Sequence, residues 1–419
     1  MLETIMLPAI GFTGGALRAK IGRMSANPGR PRLLRELNDR AAVELLASSG
    51  ALTRAQVSEM TGLSKVTANH VLSRLEDRGL VVKVGVQEGG RGPSAALYGL
   101  NPLCGYVIAI EVYLDTTSAV LTDITGRVLA ETTVSTDVAA DPAEAVYTIA
   151  EGLTQAAQID MSWVQACVIA LPAVIDPVTS NIRFCYDMPA WCGNVIEVLR
   201  QRLRLPVTID NDVNLAAIAE RAAGVASDVR NFVLVWIGRG PGSAVMVGDQ
   251  LLRGTAGAAG ELGWMPVPGA AVSDGGFDRS RHEVGAAFQA LVGWRAVQEL
   301  AKRHQIAAED AAQSVAAAAG NAAAGSVAGA AFLDELARRI ALGVASICTV
   351  LDPELVVLAS DVGAAGGDEL AGRVQRAVAD MCLARPRVEA STVLDWPVLR
   401  GAVLVGIGQA RERVFFGDL

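Results

Sequence analysis

Apolar positions recur at helical spacing in the first part of the chain, and at strand spacing or in short unbroken runs after it. Val71, Leu72 and Leu75 share one face of a helix that starts behind Ser64 and stops at Gly79. Thr53 is placed to cap a shorter helix before it, in which Val57 and Met60 fall on one side. Gly62 can supply the left-handed residue that ends this helix. A small apolar helix around Ala41–Leu46 completes a three-helix core. Leu80–Val86 and Ala95–Leu100 then read as strands joined by the turn Gln87–Pro93.

After the boundary Asn101–Gly105 the pattern alternates between strand and helix. Tyr106–Val112, Thr117–Asp123, Arg127–Val134, Val164–Leu171, Phe232–Ile237, Ser243–Val247 and Leu355–Ala359 read as strands. Helices are predicted over about 142–158, 215–222 and 332–351. This implies an α/β fold with mixed sheets. The Ala-rich stretch Ile306–Ala331 reads as a loosely packed helix or insertion.

Two helices joined by a Gly-containing turn, followed by a two-stranded wing, make a winged helix-turn-helix. The second helix would enter the major groove of DNA from its N-terminal turns. Ser64 caps it. Thr67 and Asn69 suit base edges, Lys65 and Arg74 suit phosphates, His70 lies on the outer side, and Arg91 sits at the wing tip. Charge agrees. Arg18–Leu100 holds 13 Lys/Arg against 7 Asp/Glu, while the whole chain carries a net −8, so a basic head precedes an acidic body. The expected organisation is a flexible extension over 1–28, a DNA-binding domain over 29–100 and a ligand-binding body over 103–419.

At 419 residues, 51% hydrophobic, the chain can bury a large core, and no apolar run reaches membrane-spanning length. The basic residues of the first segment follow its apolar part, the reverse of a secretory signal. Six cysteines form no Cys-x-x-Cys pair, and only three histidines are present. Reduced thiols in a cytoplasmic protein are expected, and no structural metal.

Three polar clusters remain. Asp210-Asn-Asp-Val-Asn214 follows a strand and opens a helix. Gly238-Arg-Gly-Pro-Gly242 is a glycine-rich turn. Arg253-Gly-Thr-Ala-Gly-Ala-Ala-Gly-Glu-Leu-Gly263 sets one carboxylate among small residues. In this order, behind a winged head, they resemble the ROK family of repressors, open reading frames and sugar kinases. The resemblance covers nearly the whole chain from Arg32. It implies a two-lobed actin-like ATPase fold with sugar bound in the cleft. Asp212 matches the family's catalytic base, Asn211 and Glu261 match sugar contacts, Glu283 matches a further sugar-binding Glu, and Asp187 lies where many members have Asn. The chemistry is consistent: a carboxylate accepts two hydrogen bonds, an amide gives and accepts, and sugars present hydroxyls in fixed geometry. The small residues around Glu261 are expected to let its loop close against the sugar ring.

Four departures separate the chain from the family's kinases. Glu111-Val-Tyr-Leu-Asp-Thr-Thr117 lacks the glycines of the first phosphate turn. Pro241 removes a backbone donor from the second, where Arg239 replaces the usual Thr. Ala359-Ser360 replaces a Gly-Gly. Trp264 stands where the family has a zinc-binding His, and Val272–Arg281 replaces its cysteine cluster. Trp264 either stacks on a sugar face or fills the space left by the metal. The expectation is a non-enzymatic, sugar-responsive DNA-binding regulator, most simply a repressor, without cofactor. Its partners would be an operator duplex, a sugar effector, no membrane, and further copies of itself as homodimer or tetramer. The alternative is an active ATP-dependent sugar kinase with a regulatory head.

Overall fold

The computed structural model describes residues 31–87, 94–137, 140–185, 188–267 and 287–417. The chain opens with α1 (Pro31–Ser49), the short β1 (Leu52–Thr53), α2 (Arg54–Thr61) and α3 (Lys65–Asp77), then the wing strands β2 (Val81–Gln87) and β3 (Ala95–Leu100). The first helix is far longer than the apolar run Ala41–Leu46 predicts. Thr53 and Gln56 form a reciprocal capping box at α2, Gly62 ends it at φ 74°, and the Ser64 hydroxyl accepts the Thr67 N–H at the start of α3. Such caps contribute ~1 kcal/mol each. Ala68, Val71, Leu72 and Leu75 are buried along α3, with Val57 from α2 and Leu46 from α1. Met60 is not among them: it is 55% exposed, so α2 buries only a narrow stripe.

The body continues with β4 (Tyr106–Val112), β5 (Thr116–Asp123), β6 (Val128–Ser135), α4 (Pro142–Ala157) and β7 (Val164–Leu171). The hairpin β8 (Ala173–Ile175) and β9 (Ile182–Cys185) follows, then α5 (Val195–Leu203), β10 (Val207–Asn211) and α6 (Asp212–Ala223). Next come β11 (Phe232–Ile237), β12 (Pro241–Val247), β13 (Gln250–Leu251), α7 (Gln289–Val292), α8 (Trp294–Arg303), α9 (Ala311–Ala323) and α10 (Val327–Leu351). The chain closes with β14 (Leu355–Ala359), α11 (Ser360–Ala365), α12 (Gly367–Met381), β15 (Arg387–Ala390) and α13 (Pro397–Phe416). Two five-stranded sheets share one plan. Their orders are β10-β7-β4-β5-β6 and β13-β12-β11-β14-β15, an antiparallel meander of three strands extended by two later ones. No described helix is long and apolar enough to cross a membrane.

The chain forms two compact units. One contains the residues up to Ile169 with Val195–Thr208 and Ala402–Leu419, and the other holds Ala170–Asn194 and Ile209–Gly401. In the first, the head rests on the end of α13. Arg40 pairs with Glu412 and lies 4.8 Å over the Phe416 ring, and Arg78 Nη2 donates to the Phe415 carbonyl at 2.9 Å. In the second, Phe288, Phe332, Leu333, Leu336 and Ile340 form the centre of the core. The Ala-rich stretch is part of that core, not a loose insertion: Ala311, Ser314, Val315 and Ala318 of α9 are buried, because small side chains let α9 approach α10 closely. None of the six cysteines is in a disulfide; Cys167, Cys185 and Cys348 are buried, and Cys192 is exposed.

Candidate functional site

Asn211 ends β10 and caps α6. Its Oδ1 accepts the Asn214 N–H at 3.1 Å and its Nδ2 donates to the Ala173 carbonyl at 3.2 Å. That fastens the helix start to β8 and, among the described residues, leaves one amide hydrogen for another partner. Asp212 opens α6, 6% exposed, with its Oδ1 accepting the Val213 N–H at 2.9 Å. Asp210 serves the loop that carries Glu261. Both its oxygens accept from Arg253 at 2.6 Å, and this bidentate pair anchors the loop's start.

That loop is held by backbone contact. Gly260 (φ 95°) lies so near β12 that a Cβ would come within 2.0 Å of the Ser243 carbonyl oxygen. At Gly257 (φ 76°) the oxygen of Ile175 would be 1.7 Å away. The Ser243 N–H donates to the Gly260 carbonyl at 2.7 Å. The small residues therefore let the loop close against its own neighbouring strands, which differs from the expected packing on a sugar ring. A single 3-10 turn, Leu262–Trp264, follows, so Glu261 and Trp264 project to the same side.

Glu261, Trp264 and Met265 line a cavity of about 510 Å³ with Val174, Phe184 and Ala258. The Trp264 ring meets Phe184 edge-on, centroids 6.4 Å apart and planes at 69°. The Glu261 carboxyl makes no hydrogen bond among the described residues. Burial, and secondarily the nearby charge of Asp212, pushes its pKa up to about 7. Asp187 and Glu283, and the segment Val272–Arg281, lie outside the described residues.

At the ends of β11 and β14 the glycine-rich turn is a tight hairpin: Pro241 pairs with Ile237, and Gly238 faces α11. A Cβ on Gly238 would lie 2.6 Å from Ser360 Oγ and 3.1 Å from Asp361 Oδ1. Ser360 has φ 73°, a value that favours glycine. Its hydroxyl donates to Asp361 Oδ1 at 2.7 Å, and the same oxygen accepts the Val362 N–H at 2.9 Å.

On the head, Lys65, Val66, Asn69 and His70 are exposed on α3. Ser64 and Thr67 are hydrogen-bonded to each other at the cap, 2.9 Å between hydroxyls. Arg74 is turned inward: its Nε donates to Asp39 Oδ2 at 2.9 Å, pairing α3 with α1. Asp39 lies 35 residues away in sequence, which hides this pair from a local reading. Val66, 65% exposed, carries no signal of its own among polar neighbours. Arg91 lies outside the described residues.

The ROK family profile matches residues 107–406. The chain belongs to the ROK family. A MarR family profile matches residues 36–92, over the winged head. The putative xylose repressor of Caldicellulosiruptor sp. (strain Rt8B.4) is 25% identical over 244 residues, 57% of this chain and 61% of that protein. The DNA-binding transcriptional dual regulator NagC of Escherichia coli (strain K12) is 24% identical over 249 residues, 58% of this chain and 60% of the relative. The chain thus spans about three-fifths of the length of these relatives. Among solved structures, a ROK family transcriptional regulator homologous to the E. coli MLC protein aligns with a TM-score of 0.68 at 20% identity, over 91% of this chain and 99% of that one. The ROK hexokinase from Thermus thermophilus aligns at 0.56 and 23% identity, over 71% and 97%. The fold is the actin-like ROK fold, and regulators and kinases both use it.

Proposed function

We propose that this chain is a sugar-responsive transcriptional regulator: a cytoplasmic repressor that a sugar or sugar derivative releases from its operator. The observation that carries the reading is a head with an outward-facing reading helix joined to a body whose Glu261 carboxyl is left without a hydrogen-bond partner, among the described residues, inside a cavity. Asn211, Asp212 and Glu261 would take sugar hydroxyls, with Trp264 beside them. The family resemblance adds Asp187 and Glu283. Lys65, Asn69 and His70 would meet the duplex, with Ser64 and Thr67 at the helix start and Arg91 on the wing. Arg74 would act by holding α3 against α1. The relatives named as xylose repressors and as NagC support this reading. A palindromic operator bound by paired heads would make the working form a homodimer or tetramer. Ligand and operator would be coupled by ~1–3 kcal/mol.

Asp212, kept and buried at the position of the kinase base, favours a second reading, a working sugar kinase. The phosphate end speaks against it. Asp361 and Ser360 occupy the face of Gly238 where the family's Gly-Gly leaves room, and a carboxylate there repels an incoming phosphate. The test is fluorescence anisotropy of an operator duplex, selected by this protein from a random pool, titrated with sugars and sugar phosphates with and without Mg-ATP. Release by a sugar recovered unphosphorylated supports the sensor. ADP formation that disappears in Asp212→Asn returns the chain to the kinases.

A further inference from the structure

We propose that the contact between the head and the end of α13 sets the spacing at which the two half-sites of an operator are read, with Arg40, Arg78, Glu412 and Phe416 as its positioning residues. This rests on the DNA-binding reading and adds a geometric rule to it. Separate parts of the head share the contact. Arg40, midway along α1, pairs with Glu412 and lies 4.8 Å over the Phe416 ring. Arg78, the C-cap of α3, donates to the Phe415 carbonyl at 2.9 Å, so the reading helix itself is tied to α13. The chain leaving the head is held on the same helix: a Cβ on Gly105 would lie 3.2 Å from Val414 Cγ2 and 2.9 Å from Gln165 Cγ. The exit is also fastened to the head, because the Asn101 side chain donates to the Gly79 carbonyl at 2.7 Å and its N–H to the Leu80 carbonyl at 3.0 Å. The end of α13 is fixed in turn to the sheet below it. Arg411 Nη2 donates to the Ile124 carbonyl at 3.1 Å, and Arg413 Nη1 to the Gln165 carbonyl at 3.4 Å.

A head tied through α1, α3 and its exit strand has one orientation on that surface, and two such heads in a dimer have one separation. A base pair added between half-sites shifts one from the other by about 3.4 Å and turns it by about 34°. The head cannot follow that turn while the Arg78 bond survives, so a wrong spacing costs the contact. The contact is also weak enough to yield. Arg40 and Glu412 are both half-exposed, where an ion pair and a cation–π stack each contribute modestly. Spacing should therefore be selected by about tenfold to thirtyfold and no more, because beyond that the head detaches and reads its half-site alone.

The experiment uses the full chain and the duplex that it selects from a random pool. The distance between the half-sites is lengthened and shortened by one and two base pairs, and affinity is read by anisotropy at one salt concentration. The wild type should prefer the selected spacing by about tenfold or more over a change of two base pairs. Arg40→Glu and Glu412→Arg, each of which sets like charges face to face, should bring all spacings within about threefold. Both should bind a duplex with a single half-site as the wild type does, which a damaged head would not. Combining the two substitutions restores an opposite pair and should recover part of the preference, and Phe416→Ala should weaken it. A flat profile in the wild type, an unchanged profile in the variants, or a selected duplex holding one half-site only would overturn the spacing rule and leave DNA reading standing. A chain that selects no duplex at all would overturn both.

Discussion

Glu261→Gln should make the unliganded protein more stable and a poorer receptor at once. The carboxyl, ordinarily near 4.5, is pushed up to about 7 by burial and by Asp212. A folded-state value above the unfolded one contributes stability that is complete below about 4.5 and lost as pH rises through about 7. At ~1.4 kcal/mol per tenfold step, the ionised group costs the fold at most ~3 kcal/mol above that range. Solvent reaches part of the side chain, so ~1–2 kcal/mol is the working figure. Gln keeps the shape and cannot ionise. Arg253 does not offset the charge, because both its terminal nitrogens are bound to Asp210. At ~2–4 °C per kcal/mol, the variant should melt several degrees above the wild type at pH 8.5 and level with it at pH 4.5. Effector affinity should fall about tenfold or more at pH 8.5, because Gln offers one acceptor oxygen and no charge. Differential scanning calorimetry across pH 4.5–8.5 reads the first effect and titration calorimetry the second. A variant no more stable at pH 8.5 than at pH 4.5, relative to wild type, would refute the claim that Glu261 is a desolvated carboxyl held ready for a ligand.

Four further outcomes follow from named contacts. Arg253→Ala strands the buried Asp210 carboxylate and should lower stability by ~3–5 kcal/mol in urea melts, whereas Arg253→Lys keeps a charge and should lose less. Gly257→Ala drives a methyl group into the Ile175 carbonyl at a positive φ, so it should shift the Glu261 loop and remove effector binding, read by calorimetry beside a melting curve. Ser360→Gly relieves a left-handed serine and should raise stability by about 0.5–1 kcal/mol, less whatever the hydrogen bond to Asp361 contributes; an unchanged or lowered midpoint would show that the bond outweighs the strain. Val66, exposed on the first turn of the reading helix, should contact a thymine methyl. Replacing operator thymines by uracil one at a time should then cost affinity at one position in the wild type and nothing there in Val66→Ser.

Much of the fold could be read where the pattern is local and periodic. The caps at Thr53, Gly62 and Ser64 have chemical signatures, and strands such as Phe232–Ile237 are unbroken apolar runs. What escaped depends on partners distant in sequence. Arg74 reads as a phosphate contact until Asp39 is placed against it. The glycines around Glu261 suggest a ligand until Ile175 and Ser243 are found at their backs. The hairpin bearing Val174 and Phe184 has strands of three and four residues, too short for alternation to show, so the apolar half of the cavity had no sequence signal. Met60 and the Ala-rich α9 failed in opposite ways: helical spacing does not reveal how wide a face is buried, and small residues look unstructured until a neighbouring helix explains their size.

The head is made first and seated last. Its three helices and wing end at Leu100, but the surface that receives Arg40 and Arg78 is formed by Glu412, Phe415 and Phe416. At ~5–20 residues per second, the roughly 300 residues between them take a ribosome tens of seconds to add. Throughout that interval a nascent chain holds a complete reading helix with nothing to rest on. A message broken before codon 412 would yield a head with the same exposed face and no seat. The winged head is a property of the first quarter of this sequence, but keeping it in its seat requires translation through Phe416.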